Sequence, residues 1–75
     1  MKTYEEVADS YGLQGKRREL YIKYMKARWS DTEDLKVRSG YAHEWAERFK
    51  NGYEYDLSDS EGREILRRLY REVYS

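Results

Sequence analysis

The chain has 75 residues, which is enough for one small domain, and it contains no cysteine, which excludes a disulfide scaffold and a zinc–thiolate site. Fifteen Lys and Arg residues balance fifteen Asp and Glu residues, and this neutral charge argues against a dedicated nucleic-acid coat or a polybasic membrane binder. The sequence has no N-terminal apolar segment and no long apolar run. We therefore expect neither a signal peptide nor a membrane span, and a cytoplasmic location.

The N-terminal segment carries the signals of a short helix. Thr3 and Glu6 have the spacing of a capping box, in which each side chain satisfies a free backbone N–H. Apolar residues then recur at helical spacing over two turns, and Gly12 is placed to be a left-handed C-cap. The sequence predicts a helix at about residues 4–11, with Gln14-Gly15 as the joint to the next element.

Residues 16–29 (KRRELYIKYMKARW) form the predicted central helix. Apolar and aromatic side chains cover more than half of its circumference, which is typical of a helix with neighbours on both sides. Leu20 and Tyr24 share one face, and we expect Tyr24 to lie in the core with its hydroxyl at the rim. A further row alternates guanidinium and phenol groups at Arg17, Tyr21, Tyr24 and Arg28.

The segment of residues 33–51 has the cleanest helical stripe, at positions 41, 42, 45, 46 and 49. Ser39-Gly40 interrupts it, because a glycine inside a helix costs about 1 kcal/mol relative to Ala. Either Gly40 lets a neighbouring helix approach closely, or a short turn at 33–38 precedes a helix at 40–51. We favour the second interpretation, with Asn51-Gly52 as the closing cap.

The last helix is predicted at about residues 59–74, after a linker at 53–57 (YEYDL). Its N-cap is Ser58 with Glu61, and the cap of the helix before it is Ser30 or Asp31. The fold class is therefore all-α: a small compact bundle of three main helices plus a short N-terminal helix, in a single domain over residues 1–75. The expected core comprises Val7, Leu20, Tyr24, Trp45, Phe49, Leu66 and Leu69.

No group of residues has the pattern of a catalytic or cofactor site. There is one His, no Cys and no serine in a Gly-x-Ser-x-Gly context. His43 and Glu47 have i, i+4 spacing, but two ligands are too few to close a metal site, and we expect a solvated histidine. We therefore predict a protein that is not an enzyme and that uses no metal or cofactor.

Residues 3–13 (TYEEVADSYGL) resemble the first half of a helix-turn-helix, with Gly12-Leu13 four and five residues beyond Ala8. The resemblance implies that the basic helix after it is a recognition helix, with Arg17, Arg18 and Lys16 near bases or phosphates. Arg18 occupies the position at which that family turns an aliphatic side chain inward. Alternatively, Tyr21 and Tyr24 stack bases, as aromatic residues do in single-strand binders.

Nine tyrosines exceed what a core of this size can bury with satisfied hydroxyls, so we expect several at the surface. Tyr, Trp and Arg are the residue types that carry most interface energy. The leading hypothesis is a non-catalytic adaptor or inhibitor that binds a larger protein, of the kind that phages and mobile elements encode. A homodimer stays open, and DNA binding is the alternative. The candidate interaction surface comprises Arg17, Arg18, Tyr21, Arg28, Tyr53, Tyr55, Arg67, Arg71 and Tyr74.

Overall fold

The computed structural model describes residues 3–29, 35–52 and 60–75, of which 35–39 by their backbone alone. These residues form four helices and no strand: α1 (Tyr4–Ser10), α2 (Gly15–Trp29), α3 (Leu35–Lys50) and α4 (Ser60–Tyr74). The prediction of a small all-α bundle is confirmed. None of the four helices is both long and apolar enough to cross a membrane. The predicted caps and linker tyrosines at Ser30, Asp31, Ser58, Tyr53 and Tyr55 lie outside the described residues.

Both ends of α1 are held by local hydrogen bonds. The Glu6 N–H donates to the Thr3 hydroxyl at 3.1 Å, and the Thr3 N–H donates to the Glu6 carboxylate at 3.2 Å, which is the predicted capping box. At the other end, Gly12 has a φ of 75°, and the Leu13 N–H donates to the carbonyl of Ala8 at 3.0 Å. This Schellman-type ending turns the chain sharply, so that Leu13 is buried and α2 can begin at Gly15.

Helix α2 is the centre of the bundle, because it packs against each of the other three helices and most extensively against α4. All seven residues of the expected core are buried. The ring of Tyr24 lies at the middle, with centroids 4.6 Å from Trp45 and 6.1 Å from Phe49. Tilted aromatic pairs of this kind contribute about 0.5–1.5 kcal/mol beyond their buried area, so the centre of the core is largely aromatic.

Helix α3 runs without a break through Ser39 and Gly40, so the favoured turn-then-helix interpretation is wrong. The close-approach interpretation does not apply either, because a Cβ built at Gly40 meets no atom within 4 Å. The continuous backbone hydrogen bonding of a 16-residue helix, together with the burial of Ala42, Trp45 and Phe49, outweighs the low helix propensity of one glycine.

We predict that Gly40→Ala stabilises the protein by about 0.5–1 kcal/mol, because alanine loses less backbone entropy in a helix and finds open space here. Gly52→Ala is the matched control: its Cβ also meets nothing within 4 Å, but φ is 89°. In that left-handed conformation alanine costs roughly 1–2 kcal/mol. Urea unfolding of both variants measures the two effects, and changes of the same sign would contradict the assignment of one continuous helix.

Candidate functional site

A partly exposed group of aromatic rings and arginines lies where the end of α2 meets α3. We call it the aromatic–arginine cluster, and it comprises Arg28, Trp29, Tyr41, Trp45 and Arg48. The rings of Trp29 and Tyr41 stack with centroids 5.4 Å apart and planes 5° apart. Tyr41 is 52% exposed and is the one exposed large apolar side chain among the described residues. The stack therefore presents a ready-made aromatic surface to solvent.

Two guanidinium groups border this aromatic surface. The Arg28 Cζ lies 4.6 Å from the Trp29 ring centroid, and its Nη1 donates a 2.6 Å hydrogen bond to the hydroxyl of Tyr24. The Arg48 Cζ lies 4.9 Å from the Trp45 ring centroid, and its Nη2 donates to Glu44 at 3.3 Å. Each contact holds a long side chain in one place by cation–π attraction, so the charged border is ordered before any partner binds.

Tyr41 was expected in the inner stripe of its helix, and its exposure is a correction. The buried residues of α3 are centred between Ala42, Trp45, Ala46 and Phe49. At 100° per residue, position 41 lies about 90° from that centre, which is the edge of the stripe. A helix edge is buried only if a neighbour reaches it, and the stacked Trp29 covers one face of the Tyr41 ring only in part.

Tyr21 was a candidate for the interaction surface, and that placement is wrong because its side chain is fully buried. Its hydroxyl donates to the carbonyl of Ala42 at 2.8 Å, and its ring packs edge-on against Phe49. Burial raises the pKa of the Tyr21 phenol. Tyr24 is fully buried too, with its hydroxyl beneath Arg28 instead of at the rim, so neither ring can stack a base.

The sequence did contain a signal for the burial of Tyr21. The buried positions of α2 are Leu20, Tyr21, Tyr24 and Met25. This is an i, i+1, i+4, i+5 pattern, which marks a single helix face as clearly as the i, i+4, i+7 spacing does. The row of alternating guanidinium and phenol groups crosses that face and thus mixes core residues with surface residues.

Helices α1 and α2, the pair to which the helix-turn-helix resemblance applies, pack against each other, and part of α2 is covered by the other helices. Arg18 donates to Asp9 on α1 at 2.8 Å, and this hydrogen bond raises the pKa of Arg18. Lys23 lies 3.7 Å from Glu72 on α4, and α2 also contacts α3. The exposed positions of α2 are its first turn and, further along, Glu19, Lys23 and Ala27. No model of a protein family, no curated protein and no solved structure matches the chain.

A second surface lies at the opposite end of α2, where Lys16 is about 18 Å from Arg28 along the helix axis. It is a surface depression of about 400 Å³ that we call the basic depression. Lys16 Nζ lies 5.7 Å from the centroid of the Tyr74 ring, which in turn stacks on Tyr70. The described residues that line the depression are Gly12, Leu13, Gln14, Lys16, Arg17, Lys50 and Tyr74.

The predicted interaction residues thus separate into distinct places. Arg17 and Tyr74 meet in the basic depression, and Arg28 belongs to the aromatic–arginine cluster. Arg67 and Arg71 lie together on the outer face of α4, where they line a broader depression of about 710 Å³ with acidic neighbours. Lys50, Tyr41 and Arg48 were not among the predicted residues, although they lie on the two surfaces.

His43 is half-buried instead of solvated. Its Nδ1 lies 3.2 Å from the hydroxyl of Tyr11, and the two ring centroids are 5.6 Å apart. Within the described part of the chain, no group of three or more His, Asp or Glu side chains is placed to hold a metal ion. The contact with Tyr11 joins α3 to the end of α1, which accounts for the histidine structurally.

We predict that Tyr21→Phe destabilises the protein by about 1 kcal/mol at neutral pH, because a buried hydrogen bond to Ala42 is lost. The pKa of Tyr21 is raised in the folded state, so the stability that its proton supplies is present below the ordinary tyrosine pKa of about 10 and is lost as the pH rises above it. The difference in unfolding free energy between wild type and Tyr21→Phe should therefore shrink above pH 10. A difference that does not change with pH would contradict this burial.

Proposed function

We propose that the protein is a non-catalytic binding module that recognises a protein partner through the aromatic–arginine cluster. The observation that carries the proposal is the stacked Trp29–Tyr41 pair, which leaves half of a large aromatic side chain in solvent beside Arg28. Folding does not require an aromatic residue at this position, because Tyr41 contributes little to the buried core. Trp, Tyr and Arg are the residues that dominate binding energy at protein interfaces.

The cluster is supported from below by the core. Trp45 is buried, and its ring contacts both the central Tyr24 and the Arg48 guanidinium. Binding usually costs free energy because interface side chains must be ordered, at about 0.5–1.5 kcal/mol for each flexible side chain. Here stacking and cation–π contacts have already ordered the aromatic rings and both arginines. A partner therefore meets a rigid surface and loses less entropy on binding.

The chemistry of the surface defines the kind of partner that it suits. Its centre is aromatic, and Arg28 and Arg48 are cations on its border. A complementary partner segment presents an apolar or aromatic side chain at the centre and carboxylates around it. Such a segment can belong to a larger protein, in which case this chain acts as an adaptor or inhibitor, or to a second copy of the same chain.

We predict that Tyr41→Ala reduces binding of the partner at least tenfold, which corresponds to about 1.4 kcal/mol. The exposed position means that the variant should keep its helicity and its unfolding midpoint. The measurement is affinity capture from a lysate of the source cells, followed by titration of the captured protein against wild type and variant. Light scattering after size exclusion tests the homodimer, which Tyr41→Ala should convert to monomer.

Arg67→Ala is the matched control, because it truncates an exposed arginine on the outer face of α4. We expect this variant to bind like wild type. Loss of binding in Arg67→Ala with retention in Tyr41→Ala would place the partner on α4 and overturn the proposal. Equal binding by wild type and both variants would also overturn it, because neither surface would then contribute.

A further inference from the structure

The basic depression departs from the charge pattern at the starts of α1 and α4, whereas α3, like α2, has no acidic residue in its first turn. Acidic residues stand in the first turn of α1 and of α4, where they complement the positive end of the helix dipole. The first turn of α2 has no acidic residue and contains Lys16 and Arg17 instead. Two cations at the positive end of a dipole lower the stability of the helix, so the dipole of α2 does not favour Lys16 and Arg17.

Lys50 brings a third cation to the same place. It stands in the last turn of α3, and it lines the depression together with Lys16 and Arg17. No acidic side chain is among the described residues that line it. The three bases come from helix ends that are 33 or more residues apart in sequence, and their mutual repulsion is a further cost that an external anion would relieve.

Other Lys and Arg side chains differ from Lys16 and Lys50 because they form ion pairs. Lys23, Lys26 and Arg18 each form an ion pair with an acid on another helix. Lys16 and Lys50, in contrast, form no ion pair with any residue in the described ranges. Lys16 lies over the ring of Tyr74, a contact that positions the ammonium group without neutralising it. The charges of Lys16 and Lys50 are therefore available to a ligand.

We propose that the basic depression binds the phosphate backbone of a nucleic acid. Lys and Arg are the side chains that hold phosphate oxygens, and an open depression of about 400 Å³ suits a polymer that passes across it. A lipid surface fits less well, because the apolar lining residue Leu13 is buried and cannot insert.

The proposal differs from the helix-turn-helix interpretation in its contacts. It assigns Lys16 and Lys50 to phosphates, and it requires no face of α2 in the major groove. Contacts to phosphates carry no base sequence, so the binding is sequence-independent and depends on salt. With two phosphates neutralised, by Lys16 and Lys50, the affinity for duplex DNA should fall about 12-fold between 50 and 200 mM salt, and the affinity for a single strand about 7-fold.

The test is fluorescence anisotropy with a labelled 20-base-pair duplex and a labelled single strand of the same length, at both salt concentrations. We expect saturable binding at 50 mM salt. Lys16→Gln and Lys50→Gln should each weaken it several-fold and lower the slope of log affinity against log salt by about 0.9 for the duplex. The double variant should remove most of the binding. Circular dichroism and an unfolding midpoint establish that the variants are folded.

Lys23→Gln is the matched control. It removes the same charge from an exposed lysine of the same helix, one that already lies near Glu19 and Glu72. If Lys23→Gln binds DNA at the wild-type level, the loss of affinity in the other two variants is specific to the depression. An equal loss of affinity in all three variants would show that only net charge matters, and it would overturn the proposed site. Absence of saturable binding at 50 mM salt would overturn the proposal, as would tighter binding to phosphatidylserine vesicles than to DNA. Tyr41→Ala should leave DNA binding unchanged, so the two proposals can fail separately.

Discussion

The burial of two tyrosines on α2 is the constraint on which the rest of the bundle depends. Tyr21 and Tyr24 bring large rings into the core, but each also brings a hydroxyl that has to be hydrogen-bonded there. Tyr21 meets this need with the Ala42 carbonyl on α3, and Tyr24 meets it with Arg28 one turn further along α2. The bond from Tyr21 joins two helices and is directional, so it defines how α2 lies against α3 more narrowly than apolar contact alone would.

The antiparallel packing of α2 and α3 places the two surfaces at opposite ends of the helix pair. At one end Trp29 meets Tyr41, and Arg28, already bonded to Tyr24, borders the stack. At the other end the start of α2 meets the end of α3, which brings Lys16 and Lys50 to one depression. One packing arrangement therefore produces both an aromatic surface and a basic surface. Their separation along α2 allows a protein and a nucleic acid to bind without competing for the same residues.

Both surfaces are places where the chain departs from what folding alone favours. The aromatic ring of Tyr41 remains half exposed to solvent instead of being buried. Two adjacent cationic side chains, Lys16 and Arg17, stand at the positive end of the dipole of α2. Other parts of the described chain follow these rules: α1 has its capping box, α4 has Glu61 in its first turn, and bases such as Lys26 have acidic partners. Departures of this kind are expected at functional sites, where stability is given up for recognition.

The sequence by itself determined the helices and most of the core. The capping box at Thr3 and the glycine after α1 act through hydrogen bonds between near neighbours, so their effect can be read locally. The apolar stripes likewise predicted the burial of Trp45, Phe49 and Leu66. The same local reasoning misjudged Gly40, because helix propensity is a small energy that the packing of the whole of α3 outweighs.

Only the tertiary structure decided which rings face solvent and which charges meet. Tyr41 stands at the edge of the apolar stripe of α3, and a side chain at such an edge is buried only where a neighbouring helix covers it. The meeting of Lys16 with Lys50 spans 34 positions of sequence and has no local signal. Whether a neighbouring helix covers a side chain, and which distant charges come together, both depend on how the helices pack. The residue pattern within one helix carries no information about that packing.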